Sequence, residues 1–201
     1  MFDYGIDFYS PQSFVDSRGR RIMTGWMSRM DAGQEESCPT RAHGYIHCLS
    51  LPRVLTWEDG ALRQRPVPEL LSLRRFLRTG TALSGSLNAE SGHFELVLKR
   101  SDPFSPLDLT LRSGTVGIHY DPQSSRFVVT RKNWADGGTQ FREIRLGSLT
   151  DLDIFSDASA AEIFVNDGQA VFSMRYFTAP ENDHIEYAGL VPGEQLEYYA
   201  I

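Results

Sequence analysis

Ala161-Glu162-Ile163-Phe164-Val165-Asn166-Asp167-Gly168-Gln169-Ala170-Val171-Phe172-Ser173-Met174-Arg175-Tyr176-Phe177 reads as strand, turn and strand. Apolar and polar side chains largely alternate on both sides of Asn166-Asp167-Gly168, three residues that tolerate the positive φ of a tight turn. The same period of two recurs in Phe94–Lys99, Leu107–Arg112, Phe127–Arg131, Phe141–Leu146 and Leu196–Tyr199. Further turn signals stand at Ser17-Arg18-Gly19, Glu58-Asp59-Gly60, Asp121-Pro122-Gln123-Ser124 and Asp136-Gly137-Gly138. Short strands divided by such turns predict an all-β chain, arranged as a sandwich or barrel.

Pro66-Val67-Pro68-Glu69-Leu70-Leu71-Ser72-Leu73 breaks this rhythm. Proline is accepted in the first turn of a helix, so a short helix is expected near Pro68, and no other helix in the chain. This segment divides the chain into strand-like residues 1–55, a linker 56–70 and residues 71–201, which are enough to close an antiparallel β-sandwich. Within the first part, Met30–Ala42 is expected to be a loop. Arg74, Arg75 and Arg78 sit among apolar residues and read as the solvated face of a helix.

Composition narrows the class. The chain has 201 residues, 41% hydrophobic and 23% charged, with a net charge of −6. An acidic balance argues against nucleic acid, which calls for a clustered basic surface. No apolar run reaches the about 20 residues of a membrane span, and Met1 is not followed by a basic and then apolar leader. Cys38 and Cys48 are too few for a disulfide framework. These features predict a cytoplasmic protein with reduced thiols, no membrane partner and no cofactor.

Two segments carry sugar-type chemistry. Asp3-Tyr4-Gly5-Ile6-Asp7-Phe8-Tyr9-Ser10-Pro11-Gln12 packs carboxylates, an amide and aromatics together. Carboxylates and amides bond to hydroxyls, and aromatic faces cover the C–H side of a sugar ring. The same composition also fits a strand with a polar edge. Arg21-Ile22-Met23-Thr24-Gly25-Trp26-Met27 reads as a strand whose Trp26 would either stack on a sugar or fill the core.

Beyond composition, the motifs resemble glycoside hydrolase family 32, the invertases, β-fructosidases and sucrose-6-phosphate hydrolases. The carriers are Asp3-Tyr4-Gly5-x-Asp7-Phe8-Tyr9-x-x-Gln12, then Gly25-Trp26-Met27, then Tyr45-Ile46-His47-Cys48-Leu49-Ser50-Leu51-Pro52-Arg53. Leu62–Leu70 resembles the family's linker, and Asp157–Gly168 its sandwich signature, with Ala160 and Ala161 as departures. The resemblance implies a five-bladed β-propeller whose last part is residues 1–55, followed by the sandwich. It implies that Asp7, Phe8, Tyr9 and Trp26 come from the wall of a fructosyl pocket. The Tyr45–Arg53 region is most similar to bacterial sucrose and sucrose-6-phosphate hydrolases.

Retaining fructoside cleavage needs two carboxylates about 5 Å apart. In the family they come from an Asn-Asp-Pro segment and a Glu-Cys, with an Arg-Asp-Pro between. None of the three occurs here, so no catalytic residue is assigned. Asp3 with Asp7, and Glu162 with Asp167, are the carboxylate pairs that chain position offers instead. His43, His47, Cys48 and Cys38 are the residues a metal site would draw on. Zinc needs about four placed ligands, but His47-Cys48 falls in a family motif without a metal role, so no metal is expected. The expected product is the C-terminal part of a fructosidase, inactive alone. Its apolar surface would be covered by the sandwich or by self-association, and fructosides are its carbohydrate partners if any site survives. The alternatives are a carbohydrate-binding or structural sandwich, with Trp134, Tyr120 and Tyr176 as candidate surface aromatics, or a subunit completing a propeller made by another chain.

Overall fold

A computed structural model describes residues 1–201. The first unit is an antiparallel sheet of β1 (Phe8–Val15), β2 (Arg21–Met27), β3 (Cys48–Leu49), β4 (Arg53–Glu58) and β5 (Ala61–Pro66). Its order is β1-β2-β4-β5, with β3 also paired to β2. It stays open, with β1 and β5 as edges. The turn Asp59-Gly60 joins β4 to β5 with φ of 51° and 75°, so the expected linker 56–70 contains the return strand of this sheet.

The remaining strands form two six-stranded sheets. In chain order they are β6 (Arg75–Gly80), β7 (Ser84–Asn88), β8 (Phe94–Lys99), β9 (Leu107–Leu111), β10 (Val116–Asp121) and β11 (Arg126–Lys132). Then come β12 (Thr139–Arg145), β13 (Asp151–Asp157), β14 (Ala160–Val165), β15 (Ala170–Arg175), β16 (His184–Ala188) and β17 (Leu196–Ala200). One sheet runs β12-β11-β10-β9-β16-β7, and the other β15-β14-β13-β8-β17-β6. Leu107, Leu109 and Leu111 turn inward, while Asp108 is exposed. Such alternation from both sheets builds one core of 29 buried residues, including Phe94, Tyr120, Phe127, Ile163 and Phe172. The architecture is all-β: a small open sheet followed by a sandwich.

β14 and β15 depart from simple alternation, because every residue of both is buried. Ala161, Ile163 and Val165 face the core of the sandwich. Glu162, Phe164, Ser173 and Arg175 face the other way and are also buried, because β2 and β5 lie against β15. The chain enters along the same strand. The Tyr4 N–H donates to the Val171 carbonyl at 2.8 Å, and the Ile6 N–H to that of Ser173 at 3.1 Å. A Cβ on Gly5 would overlap the Ser173 backbone, so only glycine permits this approach.

Three expectations are corrected. The loop 30–42 contains a helix, α1 (Ala32–Glu36), and a 3-10 turn at Pro39–His43. α1 is held by a capping box, in which the Asp31 carboxylate accepts from the Gln34 N–H at 2.8 Å. The element near Pro68 is a 3-10 helix, Pro68–Leu73, so the linker does not hold the chain's only helix. Arg75 and Arg78 stand on strand β6, and Arg74 is tied to the buried Glu95 at 2.5 Å. These arginines therefore do not form a helix face.

Substituting Gly5→Ala should lift the entry segment from β15. A core-type clash of about 2 kcal/mol corresponds to a fall in Tm of roughly 4–8 °C at this chain length. Gly147→Ala serves as the comparison, since Gly147 has nothing near its Cβ position and does not have a positive φ. Calorimetry showing equal losses for the two variants would contradict the close approach.

Candidate functional site

The sequence-selected residues Asp7, Phe8, Tyr9 and Trp26 do not share one surface. Alternation along β1 and the run into it separates them. Asp7 is completely buried. Its carboxylate accepts from both terminal nitrogens of Arg131, and from the Arg175 backbone N–H at 2.7 Å. Burial pushes the Asp7 carboxyl above its ordinary range, against the pull of Arg131. Its carbonyl accepts from the Ser28 and Arg29 N–H groups at 2.9 and 3.1 Å, which holds the end of β2 in place. Phe8 packs against Gly25, where any Cβ would strike its ring. The Arg53 guanidinium lies 4.8 Å from the centre of that ring.

Tyr9 and Trp26 are cross-strand partners in the β1–β2 ladder, so their side chains lie on one face. Both are exposed, at 55% and 43%. With Ser28, Arg29, Glu35 and His47 they line a shallow concavity of about 530 Å³. The His47 ring stands edge-on to Trp26, with 5.0 Å between centres. Glu35 approaches His47 Nε2 at 3.4 Å. Flat aromatic faces beside a carboxylate, a guanidinium, a hydroxyl and an imidazole suit a polyhydroxylated ring.

Behind this wall lies a polar interface whose arginines were not singled out from sequence. Arg53 is fully buried and reaches Asp3 at 2.9 Å, Glu162 at 2.6 Å and Gln64 at 3.1 Å. It also donates to the Ser173 hydroxyl. Asp3 accepts from the Ser173 N–H at 3.0 Å, and Glu162 from the Leu51 N–H at 2.5 Å. Desolvation raises the Glu162 carboxyl against the pull of Arg53. Arg175, also fully buried, donates to the carbonyls of Ile46 at 2.6 Å and Ser159 at 2.9 Å. A signal for this was present: charged residues inside strand runs otherwise rich in apolar residues need buried partners.

The carboxylate pairs considered from sequence are thus split among arginines. Asp3 and Glu162 share Arg53, Asp7 is held by Arg131, and Asp167 pairs with Arg65 at 2.7 Å. The metal-type residues are also dispersed. Cys38 is buried against Thr40 at 3.2 Å, Cys48 lies on β3, and His43 is exposed in the 3-10 turn. No three His, Cys, Asp or Glu side chains cluster closely enough to hold an ion. Trp134, Tyr120 and Tyr176 are not a surface triad. Tyr120 and Tyr176 are completely buried, and the Trp134 Nε1 donates to the Gln34 carbonyl at 3.0 Å.

A second cavity, of about 510 Å³, opens beneath the linker between Arg74, Glu95, Asp153 and Leu70. Its polar groups hold the linker to the sandwich, through the Arg74–Glu95 pair. Burial, then the neighbouring Glu95, pushes the Asp153 carboxyl up to about 8. The native state therefore binds this proton where an unfolded chain has lost it. Its contribution to stability is complete below about 3.8, the unperturbed value, and is lost as pH rises toward about 8.

Two outcomes follow for the polar interface and this cavity. Arg53→Met strands two buried carboxylates, which should cost about 3–5 kcal/mol. Limited proteolysis should then cut within residues 1–66 while the sandwich survives; simultaneous loss of both would show them to be one cooperative unit. Asp153→Asn should flatten the stability profile between pH 4 and 8 and raise stability by a few kcal/mol at the upper end. Urea unfolding at several pH values checks this, and a parallel profile for both proteins would refute it.

The model described as Glycosyl hydrolases family 32 N-terminal domain matches residues 1–66, and that described as Glycosyl hydrolases family 32 C terminal matches residues 68–194. Sucrose-6-phosphate hydrolase of Bacillus subtilis (strain 168) is 36% identical over 188 residues, covering 91% of this chain and 39% of the relative. Raffinose invertase of Escherichia coli is 34% identical over 184 residues, covering 87% and 38%. Among solved structures, sucrose-6-phosphate hydrolase from Lactobacillus gasseri superposes with a TM-score of 0.76 at 25% identity, over 100% of this chain and 42% of that one. Exo-inulinase from Aspergillus awamori shares the fold, with a TM-score of 0.77 at 20% identity, over 100% and 44%. The chain therefore spans about two-fifths of the length of the curated relatives it matches, 39% for the first.

Proposed function

The chain belongs to glycosyl hydrolase family 32, and from that premise we propose that it supplies the closing wall and the sandwich of a fructosidase acting on sucrose, sucrose 6-phosphate or a β-fructan. One observation carries the reading. Tyr9 and Trp26 stand side by side and exposed, on a sheet whose opposite face is fixed to the sandwich. That placement suits a fructosyl ring resting on the aromatic faces. Asp7 and Phe8 act behind the wall and support its backbone.

The 201-residue chain does not cleave by itself on this reading. Retention requires two carboxylates about 5 Å apart, one free to attack and one to carry a proton. The carboxylates nearest the wall's support, Asp3, Asp7 and Glu162, are buried and bound to arginines. Neither role is open to them.

The subunit role has its own support. β1 is an unpaired edge, and Phe14, Val15, Trp57 and Leu49 are exposed at 58%, 53%, 72% and 67%. Such an edge calls for a covering strand. The remainder of a propeller is the proposed cover, with self-association in its absence. A reducing, cytoplasmic setting fits the free Cys38 and Cys48, and no helix is long and apolar enough to cross a membrane. The sandwich as an independent sugar-binding module loses support, because Tyr120 and Tyr176 are core residues.

Sucrose hydrolysis is the test. The purified chain alone should show none. Co-expression with the upstream portion of the Bacillus subtilis relative should restore turnover, and Trp26→Ala should lower it about tenfold or more. Turnover by the chain alone, or no restoration despite a stable complex, would overturn the proposal.

A further inference from the structure

α1 is joined to the sandwich more firmly than to its own sheet. Gln34 is 2% exposed. Its side-chain amide donates to Asn133 and Gln140, each at 3.1 Å, and its carbonyl accepts from the Trp134 indole at 3.0 Å. Gln140 is fixed in turn by Arg131 Nε at 2.9 Å, and Arg131 lies 4.9 Å over the Trp134 ring. This is the same arginine that binds Asp7. The anchor therefore sits on the β11–β12 connection of the sandwich, while the next residue along α1, Glu35, reaches the concavity of the first sheet.

On the reading that Tyr9 and Trp26 form a sugar wall, we propose that the sandwich takes part in substrate selection. Gln34 is the positioning residue. It holds α1 so that Glu35, together with His47 and Arg29, contacts the vicinal hydroxyls of a neutral sugar ring resting on Trp26. The chemistry is complementary. A carboxylate accepts from two adjacent hydroxyls, while guanidinium, imidazole and the Ser28 hydroxyl supply donors. Trp26 and Tyr9 cover the apolar side of the ring. The carboxylate disfavours an anionic group at the same place by like-charge repulsion. Glu35 is suited to this role because it is 42% exposed and only loosely engaged, at 3.4 Å from His47. Asp3, Asp7 and Glu162, by contrast, are closed within ion pairs.

Sucrose and, separately, inorganic phosphate are titrated into the full chain, with the indole N–H signals of Trp26 and Trp134 followed by nuclear magnetic resonance. Sucrose should move the Trp26 signal saturably. Glu35→Gln should weaken binding roughly tenfold, the scale of one charge-assisted hydrogen bond, without moving the Trp134 signal in the free protein. Gln34→Ala should weaken binding by a similar factor and also move Trp134, while the sandwich stays folded. A Trp26 response of equal affinity in both variants overturns the role of α1 and leaves the aromatic wall standing. No Trp26 response to sucrose removes both. Phosphate binding in preference to sucrose overturns the neutral-ring assignment.

Discussion

The Arg53 guanidinium joins everything else in this molecule. It projects from β4 of the open sheet into a space with no exposure to solvent, and four groups from different parts of the chain converge on it. Asp3 brings the entry segment, Gln64 brings β5, Glu162 brings β14 and Ser173 brings β15. A buried ion pair adds little net stability over a well-packed apolar contact, because desolvation consumes most of the attraction. Its effect is selective: any docking that leaves one of these charges unmatched is strongly penalised. An apolar contact between two sheets would tolerate sliding by a residue. A guanidinium with a fixed fork of donors, set between two carboxylates, tolerates far less.

Asp7 and Arg131 repeat the device farther along the interface, with consequences for the exposed wall. The carboxylate of Asp7 is bound to the sandwich, while its carbonyl receives the N–H groups of Ser28 and Arg29. The end of β2 is therefore referenced to the sandwich through one residue. Trp26 lies two positions before Ser28, and Tyr9 two after Asp7. The aromatic pair thus inherits its position from a charge pair closed off from solvent. Preorganised sites require support of this kind, since small displacements of a binding surface are costly.

Much of the architecture was legible in the residues. The period-two runs at Phe94, Leu107, Phe127 and Leu196 are strands β8, β9, β11 and β17, because each has one face on the core and the other in water or against a weakly covered surface. The all-β class and the order of a small sheet before a sandwich were open to reading for that reason. Two kinds of information were not. Alternation distinguishes two faces of a strand without saying what covers the second, so Glu162, Ser173 and Arg175 read as polar exteriors when they are an interior of another kind. Residue type also does not distinguish a carboxylate that meets a sugar from one that meets an arginine. Asp3 and Asp7 had the right chemistry for a site and are bound to buried arginines. Glu35, in a run without apolar periodicity, reaches the concavity only because α1 exists. The signal for α1 is the Asp31–Gln34 capping box, two residues that make no helical stripe.

The polar interface also bears on why the two units stay together in sequence. The outer face of the sandwich carries Glu162, Ser173 and Arg175, groups that are buried here and bonded to Arg53, Asp3 and Ile46 of the open sheet and its loops. The open sheet in turn has its inner face covered by β14 and β15, while its β1 edge and several aromatic and aliphatic residues remain uncovered. Burial is thus asymmetric. The side toward the sandwich is closed by ionic contacts of high specificity, and the far side presents an edge and apolar surface suited to continuation of a sheet-based structure. A chain built this way holds the Tyr9–Trp26 face rigidly from behind and leaves its β1 edge uncovered.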